Sequence, residues 1–270
     1  MPLEDAAPDP FRPQRPWPAP LRDACAFYHS LDFPDGETVT GHWDLRGRFE
    51  AYVGGCPLSG KSVLDVGTAS GFLAFSAEAA GARVTAFDAR DATEFDRIPF
   101  HDSLHHRDRA AWAARWDELW FRPLRNGFWY AWHKYRSRVE VVYAPLRDLP
   151  CWERRFDVVI AGAIVEHLAD PVSAIAALAR LANEALVLAF TDVADSDELL
   201  MRPMTYWTDR ALDHGWWMLS RGLYRRLFEN LGFEVEFRRG TAVNNPAFTN
   251  RHAAPVEVER PTIVARRRLG

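Results

Sequence analysis

The sequence predicts an α/β fold in which a mostly parallel β-sheet alternates with helices. Hydrophobic patterning at residues 62–67, 71–80 and 82–87 predicts a strand, a helix and a second strand, and this alternation is typical of a parallel sheet. Residues 158–160 form a continuous apolar run, as expected of a parallel strand buried on both faces. With 270 residues, of which 48% are hydrophobic, the chain suits one large domain with insertions.

The glycine turn after the first strand predicts a ligand site. Asp65, Gly67 and Gly71 form the pattern Asp-x-Gly-x-x-x-Gly, which ends a strand and opens a helix. Backbone N–H groups at such a helix N-terminus can hold an acidic or polar ligand group. Asp88 ends the next strand, where a carboxylate can accept hydrogen bonds from both hydroxyls of a ribose. Together these features predict a nucleoside-cofactor site.

The same turn argues against a dinucleotide. The fingerprint Gly-x-Gly-x-x-Gly is absent, because Ala69 occupies the position of its second glycine, which lets the backbone approach a pyrophosphate. The acidic Asp65 would also repel a pyrophosphate, whereas it suits a neighbouring ammonium or sulfonium group. A cofactor that carries an amino acid and a sulfonium on adenosine fits both observations.

A later segment places further residues at the same edge of the sheet. The apolar strand around residue 160 ends at Ala161 and Gly162, small residues that let a ligand lie close to its carboxyl end. The phrase Glu166-His167-Leu168-x-Asp170-Pro171 follows, in which Asp170 can cap a helix and Pro171 can take its first position.

The turn, the strand-end acid and this later phrase together resemble the class I S-adenosylmethionine (SAM) methyltransferases, over roughly residues 60–190. The resemblance implies a Rossmann-like class I methyltransferase fold, with S-adenosyl-L-methionine as cofactor and S-adenosyl-L-homocysteine as product. In that family the positions matching Asp65, Gly67 and Gly71 surround the methionine end, and the position matching Asp88 holds the ribose. The other residues that we expect at the cofactor are Thr68, Ala69, Ser70, Ala89, Leu146, Ala161 and Gly162.

The remaining elements complete a seven-stranded sheet that ends in an antiparallel hairpin. Ser220 can cap a helix that ends at Gly232, as helices often do. The predicted elements are, in order, a strand at 139–143, a helix at 174–182, a strand at 185–190, a helix at 221–231 and strands at 233–237 and 262–266.

Composition divides the chain into three parts. Residues 1–20 are rich in proline and are expected to be an extended or disordered, flexible lead. Residues 21–59 precede the first strand and include an amphipathic helix through about Val53; in this fold such a segment often lies across the cofactor as a lid. Residues 60–270 form the SAM-binding domain, with a helical insertion at 90–138 and a substrate-cap insertion at 191–219.

Four residues are candidates for catalysis. A hydroxyl acceptor needs a general base, for which histidine is the usual choice. His167 is the first candidate, because it follows the fourth strand at the cofactor edge, although a purely structural role in its loop remains open. Glu166 beside it is an alternative base, and His29 and Tyr28 on the predicted lid are weaker candidates.

The insertions are unusually aromatic. Trp112, Trp116 and Trp120 are spaced to line one helix face, either to pack on the sheet or to reach the substrate cavity. Contact with the substrate and simple aromatic packing are both open for the other aromatic candidates, which are Trp43, Tyr206, Trp207, Trp216 and Trp217.

Several classes of function are disfavoured. His101, His105 and His106 lack a cysteine or a clear third ligand, so no metal is expected. The net charge of −4 and pI of about 6.1 give no electrostatic basis for binding nucleic acid. Apolar runs are too short for a membrane span, and the N-terminus lacks the order of a signal peptide. A cytoplasmic protein with three reduced cysteines is expected, and its oligomeric state is open.

Three functions are therefore open. The first is methyl transfer to a small molecule, with oxygen as the first-choice acceptor. The second is a tRNA wobble-uridine modifier, since residues 139–149, 156–171 and 216–220 resemble the carboxymethyltransferases of that branch. Those enzymes recognise a carboxylated SAM with basic groups ahead of the first strand. Before Lys61 this chain has no lysine, and only arginines such as Arg46 and Arg48 could serve there. The long N-terminal extension expected of those enzymes is also missing. The third is a protein that binds SAM as a sensor or partner without catalysis.

Overall fold

The structure is a computed structural model that describes residues 9–95, 104–203, 217–245 and 253–268. Its strands are β1 (Leu31–Asp32), β2 (Thr38–Val39), β3 (Trp43–Asp44), β4 (Ser62–Val66), β5 (Arg83–Asp88), β6 (Glu140–Tyr143), β7 (Phe156–Gly162), β8 (Ala182–Ala189), β9 (Val193–Ala194), β10 (Met201–Pro203), β11 (Trp217–Ser220), β12 (Phe233–Asn244) and β13 (Val256–Arg267). Its α-helices are α1 (Phe49–Tyr52), α2 (Phe72–Ala79), α3 (Leu104–Arg107), α4 (Arg109–Trp116), α5 (Arg122–Tyr135), α6 (Pro171–Leu181) and α7 (Arg221–Asn230).

The central sheet has the order β3-β12-β13-β8-β7-β4-β5-β6. The strands from β8 to β6 are parallel, and β4 lies between β5 and β7. The chain therefore builds the sheet outward in both directions from β4, and such a switch point opens a crevice at the carboxyl ends of the strands. Gly67 and Gly162 lie at this crevice, just after β4 and at the end of β7.

The predicted seven-stranded, mostly parallel sheet is confirmed, with one addition. β13 runs antiparallel to β8 and to β12, which forms the expected C-terminal hairpin, although both strands have 12 residues and are longer than predicted. The added strand is the short β3, which pairs with the far end of β12. The extra length of the hairpin thus carries the segment around Trp43 onto the edge of the sheet.

Both faces of the sheet are covered. One face packs against α2, α5 and the segment of residues 27–58, and the other packs against α6 and α7. Val158 and Ile160 point into the first core and Val159 into the second, and all three are buried. An apolar run without alternation is the expected pattern for a strand covered on both sides.

Residues 9–20, the described part of the proline-rich lead, form no helix or strand and pack against the domain. The Phe11 ring stacks on Trp152 with centroids 4.8 Å apart, and the Trp17 ring stacks on Trp129 at 5.7 Å. The Gln14 amide donates a 2.7 Å hydrogen bond to the carbonyl of Val141, on the outer edge of β6. Proline cannot donate to a strand ladder, but such a segment can still cover an edge strand.

The helical insertion is interrupted by a π-helical turn. This turn, Asp117–Phe121, connects α4 and α5 and rotates the helix face that follows it. Trp112 is buried and its ring contacts Trp116 at 6.2 Å, as the helical spacing predicts. Trp120 instead lies edge-on to Tyr28, with ring centroids 6.3 Å apart. The three tryptophans therefore do not share one uninterrupted face.

Some predictions concern residues outside those that the structure describes. Tyr206, Trp207, Trp216 and His101 are among these, and the described part of the predicted cap contains the small sheet β10-β11-β9. His105 is buried against Trp112, with rings 4.3 Å apart, and no group of three possible metal ligands occurs in the described ranges. In the same ranges, no helix is long and apolar enough to cross a membrane. Cys25, Cys56 and Cys151 are free thiols.

Candidate active site

The glycine turn is fixed to the end of the neighbouring strand by backbone hydrogen bonds. The amides of Gly67 and Thr68 both donate to the carbonyl of Phe87, at 2.8 and 3.2 Å. Gly67 and Gly71 have positive φ angles of 76° and 90°, a conformation that favours glycine. A Cβ at Gly67 would also lie 2.6 Å from the Ile164 side chain. Both the backbone and the packing therefore require glycine at residue 67.

Non-glycine residues adopt the left-handed conformation at the same edge of the sheet. Among the described residues, four that are not glycine have a positive φ. Three of these follow central strands: Ala69 (50°) after β4, Ala163 (50°) after β7 and Phe190 (56°) after β8. The conformation costs on the order of 1 kcal/mol or more for each residue, and it is concentrated where a backbone must present a site. These three turns surround the crevice at the switch point.

Asp65 is a buried carboxylate that fits a cationic ligand. Its exposed fraction is 0%, and neither oxygen forms a hydrogen bond with the described residues. Burial raises the pKa of this carboxyl to about 7, and the negative charge of Asp88 adds to the shift. An unpaired buried carboxylate is costly, and a ligand ammonium would supply the missing donors. The site thus fits the amino-acid end of SAM, as the resemblance implies.

Asp88 lies at the end of β5 with both oxygens oriented by the backbone. Its Oδ2 accepts a 2.8 Å hydrogen bond from the Ala69 amide, and its Oδ1 accepts one of 2.8 Å from the Ala89 amide. Burial raises the pKa of this carboxyl, while these two amide bonds lower it. Each carboxylate oxygen keeps a further lone pair, so the group can also accept hydrogen bonds from the hydroxyls of a ribose.

The other predicted cofactor residues have mixed surroundings. Thr68 is buried with no hydrogen-bond partner for its hydroxyl among the described residues, and Leu146 is half-buried at the start of a 3-10 helix. Ala161 is buried in the core on the α6 side and does not border the cavity described below. Gly162 borders it, but a Cβ there would lie 2.8 Å from Leu73, so protein packing already requires a small residue.

Ser70 joins the turn to the N-terminal segment. Its buried hydroxyl accepts hydrogen bonds from the amides of Tyr28 and His29, at 3.0 and 3.4 Å. Ser70 is predicted at the cofactor, and in the structure its hydroxyl oxygen also holds the backbone of residues 28–29 beside the turn. At the other end of the segment, the Asn245 amide donates to the carbonyl of His42 at 2.8 Å.

A cavity of about 120 Å³ lies between this segment and the carboxyl ends of the central strands. The predicted site residues in its wall are Tyr28, His29, Trp43, Gly67, Gly162, Glu166 and His167. The residues that the sequence analysis missed are His42, Leu45, Tyr52, Leu73, Ala163, Phe190, Ala242 and Arg260. Trp217 does not border the cavity, and its indole N–H donates to the carbonyl of Ala169 at 3.1 Å.

Glu166 is the titratable group with the most distinctive surroundings in this cavity. Its carboxylate is 2% exposed, and Oε2 accepts a 3.1 Å hydrogen bond from the Thr191 hydroxyl. Oε1 forms no hydrogen bond with the described residues, and the Arg260 guanidinium lies 3.7 Å from it. Burial, together with the nearby Asp192, raises the pKa of Glu166 to about 7. A carboxyl group with this pKa can exchange a proton near neutral pH.

The three other catalytic candidates are also in the cavity wall. Burial, reinforced by His42, lowers the pKa of His29 to about 3, and its buried Nδ1 forms no hydrogen bond in the described residues. Burial raises the pKa of Tyr28, so this hydroxyl keeps its proton at neutral pH. His167 is half-buried on the 3-10 turn Val165–His167, and its amide donates to the carbonyl of Ile164 at 3.0 Å.

Arg260 reaches the site through the β13 pairing. The Thr191 amide donates to the carbonyl of Pro261 at 2.9 Å, which places Arg260 beside the residues that follow β8. Ninety-four positions separate Glu166 from Arg260 in the chain, and no local motif marks the arginine. A larger cavity of about 590 Å³ lies behind α2, among Phe72, Tyr135 and their neighbours, and its wall includes Arg46, one of the arginines named above for a carboxylated SAM.

A family model described as a methyltransferase domain matches residues 45–236. Among solved structures, EvdMO1 is similar at 18% identity, over 92% of this chain and 46% of that chain, with a TM-score of 0.53. Magnesium protoporphyrin IX methyltransferase from Synechocystis PCC 6803, with bound SAH, matches at 15% identity over 78% and 76% of the two chains, with a TM-score of 0.44. The 1,6-didemethyltoxoflavin-N1-methyltransferase from Burkholderia thailandensis matches at 19% identity over 77% and 72%, with a TM-score of 0.43. A search of curated proteins finds no match.

Proposed function

We propose a substrate class for this chain, which belongs to the methyltransferase domain family and is a SAM-dependent methyltransferase. The proposed substrate is a small molecule that is methylated on a hydroxyl oxygen. The observation that carries the proposal is the small cavity beside the glycine turn, in which Glu166 has an oxygen without a hydrogen bond. An unpaired buried acceptor at a reacting centre is suited to receiving a proton from the acceptor hydroxyl.

The size and walls of the cavity support a small acceptor. A cavity of about 150 Å³ can hold one benzene molecule, and this one has about 120 Å³. Its walls include the aromatic rings of Tyr28, Trp43, Tyr52 and Phe190, which suit a flat, partly apolar molecule. The net charge of −4 supplies no attraction for a polyanion such as tRNA.

The residues divide the work between binding and proton transfer. SAM, when bound, supplies a methyl group on a positively charged sulfur. Asp65 holds the amino-acid end of SAM and Asp88 holds its ribose. The N-terminal segment that is hydrogen-bonded to Ser70 covers the turn and excludes water. Glu166 takes the proton from the acceptor hydroxyl as the methyl group is transferred, because its pKa of about 7 matches neutral working conditions.

The two histidines that the sequence predicts as bases have different roles in this proposal. His29, with a pKa of about 3, is too weak a base for a hydroxyl and serves as a neutral hydrogen-bonding group. His167 borders the same cavity and is the second candidate for the base. Trp43 contacts the acceptor, and the predicted contacts of Tyr206, Trp207 and Trp216 in the cap remain part of this proposal.

A screen of hydroxylated small molecules with labelled SAM tests the proposal. We expect transfer of label to a hydroxyl oxygen of a single-ring acceptor, located by mass spectrometry of the product. Glu166→Gln should keep SAM binding by calorimetry and lose transfer by at least about 100-fold, the contribution of a general base. His167→Gln is the matched variant and should keep methyl transfer. Loss of transfer in His167→Gln but not in Glu166→Gln would make His167 the base. Labelling of tRNA alone would overturn the substrate class.

A further inference from the structure

Arg260 and Asp192 place opposite charges beside the carboxylate of Glu166. Arg260 Nη1 lies 3.7 Å from Glu166 Oε1 and 3.5 Å from Asp192 Oδ2. The guanidinium also lies over the Phe190 ring, 5.2 Å from its centroid, which fixes its position against the cavity wall. One arginine nitrogen is thus shared between two acids.

These contacts are electrostatic rather than hydrogen-bonded. Within the part of the chain that the structure describes, the Arg260 side chain donates no hydrogen bond to either acid. Glu166 is 2% exposed, whereas the side chain of Asp192 is 21% exposed and that of Arg260 is 30% exposed. Charges at this separation act strongly on a desolvated group, because little water screens them.

We propose that Arg260 and Asp192 are positioning residues with opposed charges that control whether Glu166 is ionised when the acceptor enters the cavity. The inference rests on the proposed role of Glu166 as the base. The cation favours the Glu166 carboxylate, which must be present to take a proton. The anion favours the protonated form, which must be reached for the transfer to proceed.

The pair also keeps the cost of proton transfer low. Once Glu166 has taken the proton, Arg260 and Asp192 are left as a balanced ion pair, so these three groups carry no net charge. With Arg260 alone, the carboxylate would be stabilised and would be a weaker base. With Asp192 alone, burial and repulsion would keep Glu166 protonated, and it could accept nothing.

The other groups around Glu166 do not supply this control. Tyr28, Tyr52 and Tyr224 are near it, and burial raises the pKa of each hydroxyl, so all three stay neutral. His29 is neutral with a pKa of about 3. His42 and His167 are the other histidines in the cavity wall. Asp65 is a further buried acid, and it does not border the cavity that contains Glu166.

The test measures the ionisation of Glu166 directly and needs no substrate. Protein labelled with carbon-13 at the glutamate carboxyl is titrated by NMR, and the Glu166 signal is the one that is lost in Glu166→Gln. We expect a midpoint near pH 7 in the unaltered protein. Arg260→Gln should raise the midpoint and Asp192→Asn should lower it, each by about one pH unit. Arg260→Lys, which keeps the charge, should restore a midpoint close to the original.

Two controls keep the result interpretable. Arg239→Gln removes an arginine that is 78% exposed and paired with Glu259, and it should leave the Glu166 midpoint unchanged. If Arg260→Gln does not fold, Asp192→Asn still tests the expected lowering of the midpoint, and Arg260→Lys still tests whether a positive charge alone keeps it in place. Equal midpoints in all variants, or shifts of the same sign for both charge removals, would overturn the inference. Opposite shifts together with full methyl transfer by Glu166→Gln would leave the pair standing and would overturn only the role of Glu166 as base.

Discussion

The Asp88 carboxylate accepts a hydrogen bond from the Ala69 amide at 2.8 Å, and this bond joins the end of β5 to the glycine turn that follows β4. Ala69 itself has a left-handed backbone, with a φ of 50°. Asp88 therefore orients the glycine turn, and its carboxylate keeps lone pairs that can accept further hydrogen bonds.

Replacing Asp88 with alanine should weaken SAM binding by about 1–3 kcal/mol, because charge-assisted hydrogen bonds to the ribose and the tie to the turn are both lost. Isothermal titration calorimetry with SAM and SAH measures the change. Glu153→Ala, which removes an exposed carboxylate, is the matched control and should bind normally. Unchanged affinity of the Asp88 variant would refute its role at the ribose.

Asp65 should make the stability of the protein depend on pH when SAM is not added. Its folded-state pKa of about 7 lies above the ordinary value of 3.8, so its contribution is complete below pH 3.8 and is lost as the pH rises through 7. Asp65→Asn should therefore be more stable than the unaltered protein at pH 8, by on the order of 2–4 kcal/mol.

Urea unfolding at pH 5 and pH 8 measures this effect of Asp65. Glu166, whose pKa is also raised to about 7, adds a pH dependence of the same sign, so Glu166→Gln and the double variant are measured in parallel. SAM should stabilise the unaltered protein more than Asp65→Asn, since only the carboxylate pairs with an ammonium. An unchanged slope of stability against pH in Asp65→Asn would contradict the assignment.

Ser70 should be needed to hold the N-terminal segment over the turn. Ser70→Ala leaves the buried amide of His29 and the part-buried amide of Tyr28 without their acceptor, which should cost about 1–3 kcal/mol. Hydrogen exchange should increase at residues 28–45 more than in the sheet. Ser76→Ala, at a half-buried serine on the helix that follows the turn, is the control. Exchange that is equally fast in both variants would mean that the Ser70 hydrogen bonds do not hold the N-terminal segment in place.

The parallel half of the fold was predictable because its signals are local. The run from Asp65 to Gly71, and the acid at Asp88, each depend on neighbours within a few residues, so the strand, turn and helix follow directly from the sequence. Part of the cavity wall was not predictable in the same way. Arg260 and His42 reach it through strand pairings between distant segments, and their immediate sequence contains no motif that indicates this.

Ser70 and the proline-rich lead show a second limit of sequence reasoning. A polar residue in a glycine turn is compatible with ligand binding and with a structural bond, and nothing near Ser70 in the sequence indicates its bond to the Tyr28 amide. Proline content indicates an extended backbone, but it carries no information about whether that backbone is docked. The aromatic rings of Phe11 and Trp17 supply the docking, and they find partners in Trp152 and Trp129.

Phe11→Ala should release the lead from the edge of β6. Phe11 is 5% exposed and stacks on Trp152, and truncating such a phenylalanine in a core costs about 3–5 kcal/mol. Because a terminal segment can detach without unfolding the sheet, the measured loss should be smaller and local. Hydrogen exchange at Gln14 and along β6 should rise, whereas exchange in β4 and β7 should not.

Leu21→Ala, at a side chain that is 76% exposed, is the control. Equally fast exchange of residues 9–20 before and after the Phe11 substitution would show that the packed lead contributes no protection, and that β6 keeps a free edge in solution.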